Sequence, residues 1–93
     1  MLHIINQSPF ESRALASCLR LAESNSAILL IENAVVAAVS PVISGLTLFT
    51  VYALKSDLQA RGLLDKVAML IQVTDYNGFV ELTVQHSRIQ SWL

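Results

Sequence analysis

One cysteine, three glycines, two prolines and 14% charged residues are all that 93 positions hold of these types. Each scarcity removes a class of explanation. The single thiol, Cys18, cannot close an intramolecular disulfide, which fits a reducing cytoplasm. One cysteine and two histidines, His3 and His86, do not supply the close spacing of a structural zinc site. Gly45, Gly62 and Gly78 stand far apart, so neither a phosphate-cradling loop nor a dinucleotide fingerprint is present. The nucleophile elbow and the paired-histidine helix motif are missing too. The six basic residues (Arg13, Arg20, Lys55, Arg61, Lys66, Arg88) are scattered and the net charge is −1. Direct nucleic-acid binding is therefore not expected. The uncharged stretch from Ala34 to Leu54 is broken by Pro41, Gly45 and several hydroxyl residues, so it is not a membrane span. The N-terminus has no charged segment leading into an apolar one, so no signal peptide is expected.

What is abundant is apolar surface. Apolar residues make up 54% of the chain, and the charged fraction of 14% compares with about 25% in a typical soluble protein. The length predicts one domain, residues 1–93. A domain this small has much surface and few charges to cover it. Part of its apolar surface should meet another chain, which points to an obligate oligomer subunit.

Short apolar runs alternate with helical patterns. Leu2–Ile5 reads as a first strand. Ser8-Pro9-Phe10-Glu11 then has the form of a capping box with proline at the first helical position. The helix should run to about Ala22, with Phe10, Ala14, Leu15, Cys18, Leu19 and Ala22 on one face. Ala27–Ile31 is continuously apolar, as in a strand buried on both faces. Glu32-Asn33 is a turn in which Asn33 takes positive φ or caps the next element. Ala34–Val39 fits strand or short helix and is assigned to helix, ended by Ser40-Pro41. Leu46–Leu54 is a third strand. Ser56-Asp57-Leu58-Gln59 suggests a second capping box, with Gly62 closing its helix. A fourth strand lies within Lys66–Val73, and Thr74 or Asp75 caps a last helix to about His86. Strands alternating with helices imply crossover connections. The fold class is α/β: a single small domain, mainly a parallel sheet of four to five strands with helices on both faces.

Ligands of open parallel sheets gather at the C-terminal strand ends. Here that rim carries Asn6-Gln7-Ser8, Glu32-Asn33, Lys55-Ser56-Asp57 and Thr74-Asp75-Tyr76. Ser8, Ser56 and Asp75 read as helix caps and Glu32 as a solvated loop residue. His3 reads as a hydrogen-bonded structural histidine, and His86 as one favoured by a helix C-terminus. No cofactor or metal is called for. Cys18 has two readings. On the apolar stripe, mid-helix, with Arg20 pointing elsewhere, it is a small buried hydrophobe. As the one thiol, it is also the only nucleophile of its kind, and that role needs exposure or nearby positive charge. Trp92 and Leu93, large apolar residues at the chain end, point to an interface with a partner.

Several segments together resemble the TusB/DsrH family. They are Met1-Leu2-His3, Ser8-Pro9-Phe10, Val51-Tyr52-Ala53-Leu54, Asp57-Leu58 with Ala60-Arg61-Gly62-Leu63, Asp75-Tyr76 with Phe79-Val80 and Leu82-Thr83-Val84, and Gln90-Ser91-Trp92-Leu93. The similarity runs in order through nearly the whole chain. It implies a DsrE-like fold and a small subunit of a cytoplasmic heterohexamer, built with two related sister chains, that hands sulfur to a downstream acceptor protein. In the TusB branch the relay ends in 2-thiolation of the tRNA wobble uridine. In the DsrH branch it serves sulfur oxidation. In both, the principal persulfide cysteine belongs to a sister subunit, so this chain is implied to be a non-catalytic part of a sulfurtransferase complex. DsrH-type chains commonly carry a cysteine at the place of Cys18, which makes it the candidate persulfide thiol of the alternative reading. Leu82-Thr83-Val84-Gln85-His86 looks TusB-like instead. Glu32-Asn33-Ala34 departs from the usual Asp-Gly turn. Tyr76, Phe79, Trp92 and Leu93 are the candidate partner-interface residues.

Overall fold

The computed structural model describes residues 1–39 and 45–92. The expected helix stop at Ser40-Pro41 and the terminal Leu93 lie outside the described residues. Five strands form one all-parallel sheet: β1 (Leu2–Ile5), β2 (Ala27–Leu30), β3 (Thr50–Leu54), β4 (Gln72–Thr74) and β5 (Ile89–Trp92). Their spatial order is β4-β3-β2-β1-β5. From β1 to β4 the chain steps in one direction, and the last connection then returns across the sheet to set β5 beside β1.

Right-handed crossovers put connections that step one way on one face and the returning connection on the other. Accordingly α1 (Ala14–Leu21), the 3-10 segments Glu32–Val39 and Leu46–Leu48, and α2 (Lys55–Ala60) share a face, where Ile5, Leu15, Ile28, Val35, Val51 and Leu58 form the main core. The helix α3 (Tyr76–Gln85) covers the opposite face, where Leu82 joins Leu2, Ala27 and Leu29, with Phe79 packed against them. In β2, Ile28 and Leu30 belong to the first core and Ala27 and Leu29 to the second. That explains its unbroken apolar run: both faces are covered.

Several local expectations change. The first helix begins at Ala14, not at Ser8. The Ser8 hydroxyl accepts the Phe10 N–H at 3.2 Å, while the Ser8 carbonyl accepts the Glu11 and Ser12 N–H groups. Those bonds close a turn over the end of β1, which leaves Phe10 77% exposed and forms no capping box. The third strand shortens to Thr50–Leu54, because β2 begins only at Ala27 and its register partner is Thr50. Leu46–Leu48 instead forms a 3-10 turn after Gly45, whose φ is 96°. The fourth strand is Gln72–Thr74, limited by pairing only with Tyr52–Leu54. The chain end is not a loose tail: Ile89–Trp92 forms the fifth strand.

The segment Glu32–Val39 is a 3-10 helix. Its buried residues are Ala34 and Ala37, and Val35 and Ala38. In a helix of three residues per turn, i and i+3 eclipse, so these make two stacked rows against the sheet. The positive φ at its start falls on Glu32 (50°), not on Asn33. Helix α2 follows β3 without a loop, so its N-cap is Leu54, no side chain caps it, and Ser56 is an exposed residue of its first turn. Gly62, at φ 66°, does close it. Its N–H bonds the Gln59 carbonyl and that of Leu63 bonds Leu58, the paired bonds of a Schellman motif. Asp75 caps α3, accepting the Gly78 N–H at 2.8 Å.

Candidate functional site

Three places bear on function: the thiol, the rim at the C-terminal strand ends, and the outer surface of α3. Leu15, Cys18, Leu19 and Ala22 lie on the sheet side of α1 at helical spacing, and Cys18 is fully buried in the main core. Burial pushes its pKa up to about 11. At pH 7 about one such thiol in ten thousand is ionised. Arg20 is exposed, and Cys18 stands mid-helix, away from the electropositive N-terminus. The two features that activate a cysteine, access and a neighbouring positive charge, are both missing at this position.

The rim is occupied by structural ties. The Asp57 carboxylate accepts the Glu32 N–H at 2.7 Å. Arg61 donates from Nε and Nη2 to Asn33 Oδ1 at 3.2 and 2.8 Å, and from Nη1 to the Asp57 carbonyl at 3.0 Å. Asp57 and Arg61 therefore lock the start of the 3-10 helix to α2, and the Glu32 backbone holds its positive φ inside that lock. Asp75 and Ser8 serve their own turns. Among the described residues one buried rim atom lacks a partner, Asn6 Oδ1. Among the described residues no three His, Cys, Asp or Glu side chains come together, and no helix is long and apolar enough to cross a membrane.

The four candidate interface residues separate. Tyr76 is 70% exposed at the start of α3 and meets half-buried Phe79 edge-on at 6.0 Å. Trp92 lies at the far edge of the sheet, on β5, folded onto its own domain. Its Nε1–H donates to His3 Nδ1 at 3.0 Å, and the two rings lie 6.0 Å apart. Leu93 lies outside the described residues. The sequence reading missed the stripe Tyr76, Val80 and Val84, at i, i+4 and i+8 on α3, all exposed. Phe79 and Leu82 already supply the sheet-facing side. A second apolar stripe on a surface helix was the available signal. Met69, Leu70 and Val73, in and before β4, add further exposed apolar surface.

The profile of the DsrH family, described as DsrH like protein, matches residues 7–89. The chain belongs to the DsrH family. Among its relatives, Protein TusB of Buchnera aphidicola subsp. Baizongia pistaciae is 41% identical over 99% of this chain and all of that one. Protein TusB of Pectobacterium parmentieri is 33% identical over the same shares. Among solved structures, the YchN protein from E. coli superposes with a TM-score of 0.78 at 18% identity, covering 97% of each chain. Protein Tm0979 from Thermotoga maritima gives 0.69 at 23%, covering 95% of this chain and 97% of that one. At such identities these two speak for the fold, the single parallel α/β domain expected from the alternation of elements. Family membership leaves the geometry to say which surface works, and the buried thiol and the apolar α3 stripe differ sharply in what they offer.

Proposed function

We propose that this chain is an accessory subunit of a sulfur-relay complex that serves 2-thiolation of the tRNA wobble uridine in the cytoplasm. Its two related sister subunits complete a heterohexamer, and one of them holds the working persulfide. The observation that carries this reading is the end-to-end identity of 41% with a Protein TusB. The apolar stripe of α3 supports it, since a helix with two apolar faces has one to give to a partner. On this reading Tyr76, Phe79, Trp92 and Leu93 belong to partner contacts, with Tyr76 and Phe79 on α3 and Trp92 on the edge strand β5.

Two measurements test the proposal. Co-expression with the sister chains, read by native mass spectrometry, should give a complex holding this subunit. A chain that stays monomeric beside them would overturn it. In a deletion strain, the chain should restore 2-thiouridine in tRNA. Cys18→Ala should restore it as fully as the unsubstituted chain, and alkylation should label Cys18 only after denaturation. Rapid labelling of the native protein, with loss of thiolation in Cys18→Ala, would move the chemistry onto Cys18 and favour the persulfide-carrying, DsrH-type reading.

A further inference from the structure

A cavity lies near the N-terminal ends of β1 and β2 and beside β5. It encloses about 190 Å³ and is lined in part by His3, Leu21, Glu23, Ser26, Arg88 and Trp92. Two of these side chains are buried and polar: His3 is 4% and Ser26 2% exposed. Among the described residues the Ser26 hydroxyl, sealed from solvent, has no hydrogen-bond partner. Buried polar groups are almost always satisfied, so an orphaned hydroxyl beside a cavity marks a group with a missing partner. Ser26 lines the cavity, and its hydroxyl moves among three staggered positions by rotation of χ1 alone. The Trp92 indole N–H occupies His3 Nδ1, so the neutral ring carries its proton on Nε2 and is a donor there. Arg88 has no ion pair among the described residues.

The polar lining holds one cation, the Arg88 guanidinium, a further donor in His3 Nε2–H, and in Ser26 and Gln90 two groups that donate or accept. Glu23 is the one opposing carboxylate. Leu21 and the Trp92 indole supply apolar wall. A volume of 190 Å³ is below the roughly 300–1,000 Å³ of sites for drug-sized ligands, so only a few heavy atoms fit. We propose that this cavity binds a small organic carboxylate, its oxygens held by Arg88, Ser26 and His3 and its short apolar body lying against Trp92 and Leu21. The cavity uses neither Cys18 nor the α3 stripe, and of the proposed partner-contact residues it shares only Trp92.

Trp92 is the only tryptophan in the chain, so its indole reports the site without labelling. Propionate titrated into the intact protein should shift Trp92 fluorescence and its indole N–H NMR signal saturably, with a Kd of about millimolar, the scale open to a ligand of about five heavy atoms. Propionamide, of the same shape without charge, should bind at least about tenfold more weakly. Arg88→Gln, at an exposed position, should weaken propionate by about tenfold. Ser26→Ala should weaken it by about threefold to tenfold without lowering the Tm, because the hydroxyl it removes makes no bond in the free protein. Absence of a saturable shift would overturn the proposal, as would equal binding of the amide. Unchanged affinity in both variants would do so too, and would leave the hydroxyl to ordered water.

Discussion

His3 and Trp92 stand 89 positions apart in sequence and meet through one hydrogen bond. That His3 would be a bonded structural histidine was legible in the sequence. Its partner was not, because the pair exists only once β5 has returned across the sheet to lie beside β1. The bond needs an unprotonated Nδ1, so it has a pH dependence whose sign is set by the environment. Burial lowers the His3 pKa below 6.5, and the α-amino group lowers it further, while Glu23 acts in the opposite sense. Between the lowered folded value and 6.5 the unfolded chain binds more protons than the folded one, so stability rises with pH there. The contribution is fully present above pH 6.5 and is lost as pH falls through the folded-state value. Urea unfolding at a series of pH values should show this loss together with a change in Trp92 fluorescence. His3→Gln should flatten that part of the profile. An equal slope in His3→Gln would place the titration elsewhere.

At the scale of elements, what the sequence showed clearly was whatever depends on neighbours in the chain. Asp75 reads as a cap and is one, because the Asp75–Gly78 bond spans a single turn. Gly62 reads as a helix stop and takes the left-handed conformation expected. What escaped depends on partners. The Ser8 box becomes a turn because the chain must first climb over the end of β1. Strand β5 goes unassigned because only one edge of it is paired and most of its residues are exposed, so no buried apolar run marks it. The α2 box fails because β3 runs straight into the helix, freeing Asp57 to bind the Glu32 backbone. Two substitutions separate these local devices from packing. Asp75→Ala should cost about 0.5–2 kcal/mol, the usual loss at an N-cap. Gly62→Ala should cost about 1 kcal/mol, from backbone strain at positive φ, since nothing within 4 Å would meet the added methyl. Both should lower the urea midpoint without changing the slope. A Gly62→Ala protein as stable as the parent would mean the turn can relax out of its left-handed conformation.

For the molecule as a whole, the mismatch between composition and size becomes a statement about one surface. A sheet with three connections on one face and one helix on the other has unequal cover. Helix α3 alone shields the second core, and its outer stripe of Tyr76, Val80 and Val84 is exposed. Low charge content announced uncovered apolar surface, and the topology places one continuous stripe of it on α3. A substitution there has opposite consequences before and after assembly. In the isolated chain Val84 is 79% exposed, so Val84→Glu should change folding stability by no more than about 0.5 kcal/mol. In the proposed complex, with this face against a sister subunit, the same carboxylate would be buried without a counter-charge and meet a desolvation penalty of several kcal/mol. The expected outcome is a folded Val84→Glu chain with an unchanged urea midpoint and an affinity for its sisters lower by at least about 100-fold, equivalent to about 3 kcal/mol. Gln59→Glu, at an exposed position of α2 on the opposite face, should assemble as the parent does. Native mass spectrometry of both variants over a dilution series reads the difference. Equal assembly of the two would remove α3 from the interface, and loss in both would enlarge it to the α2 face.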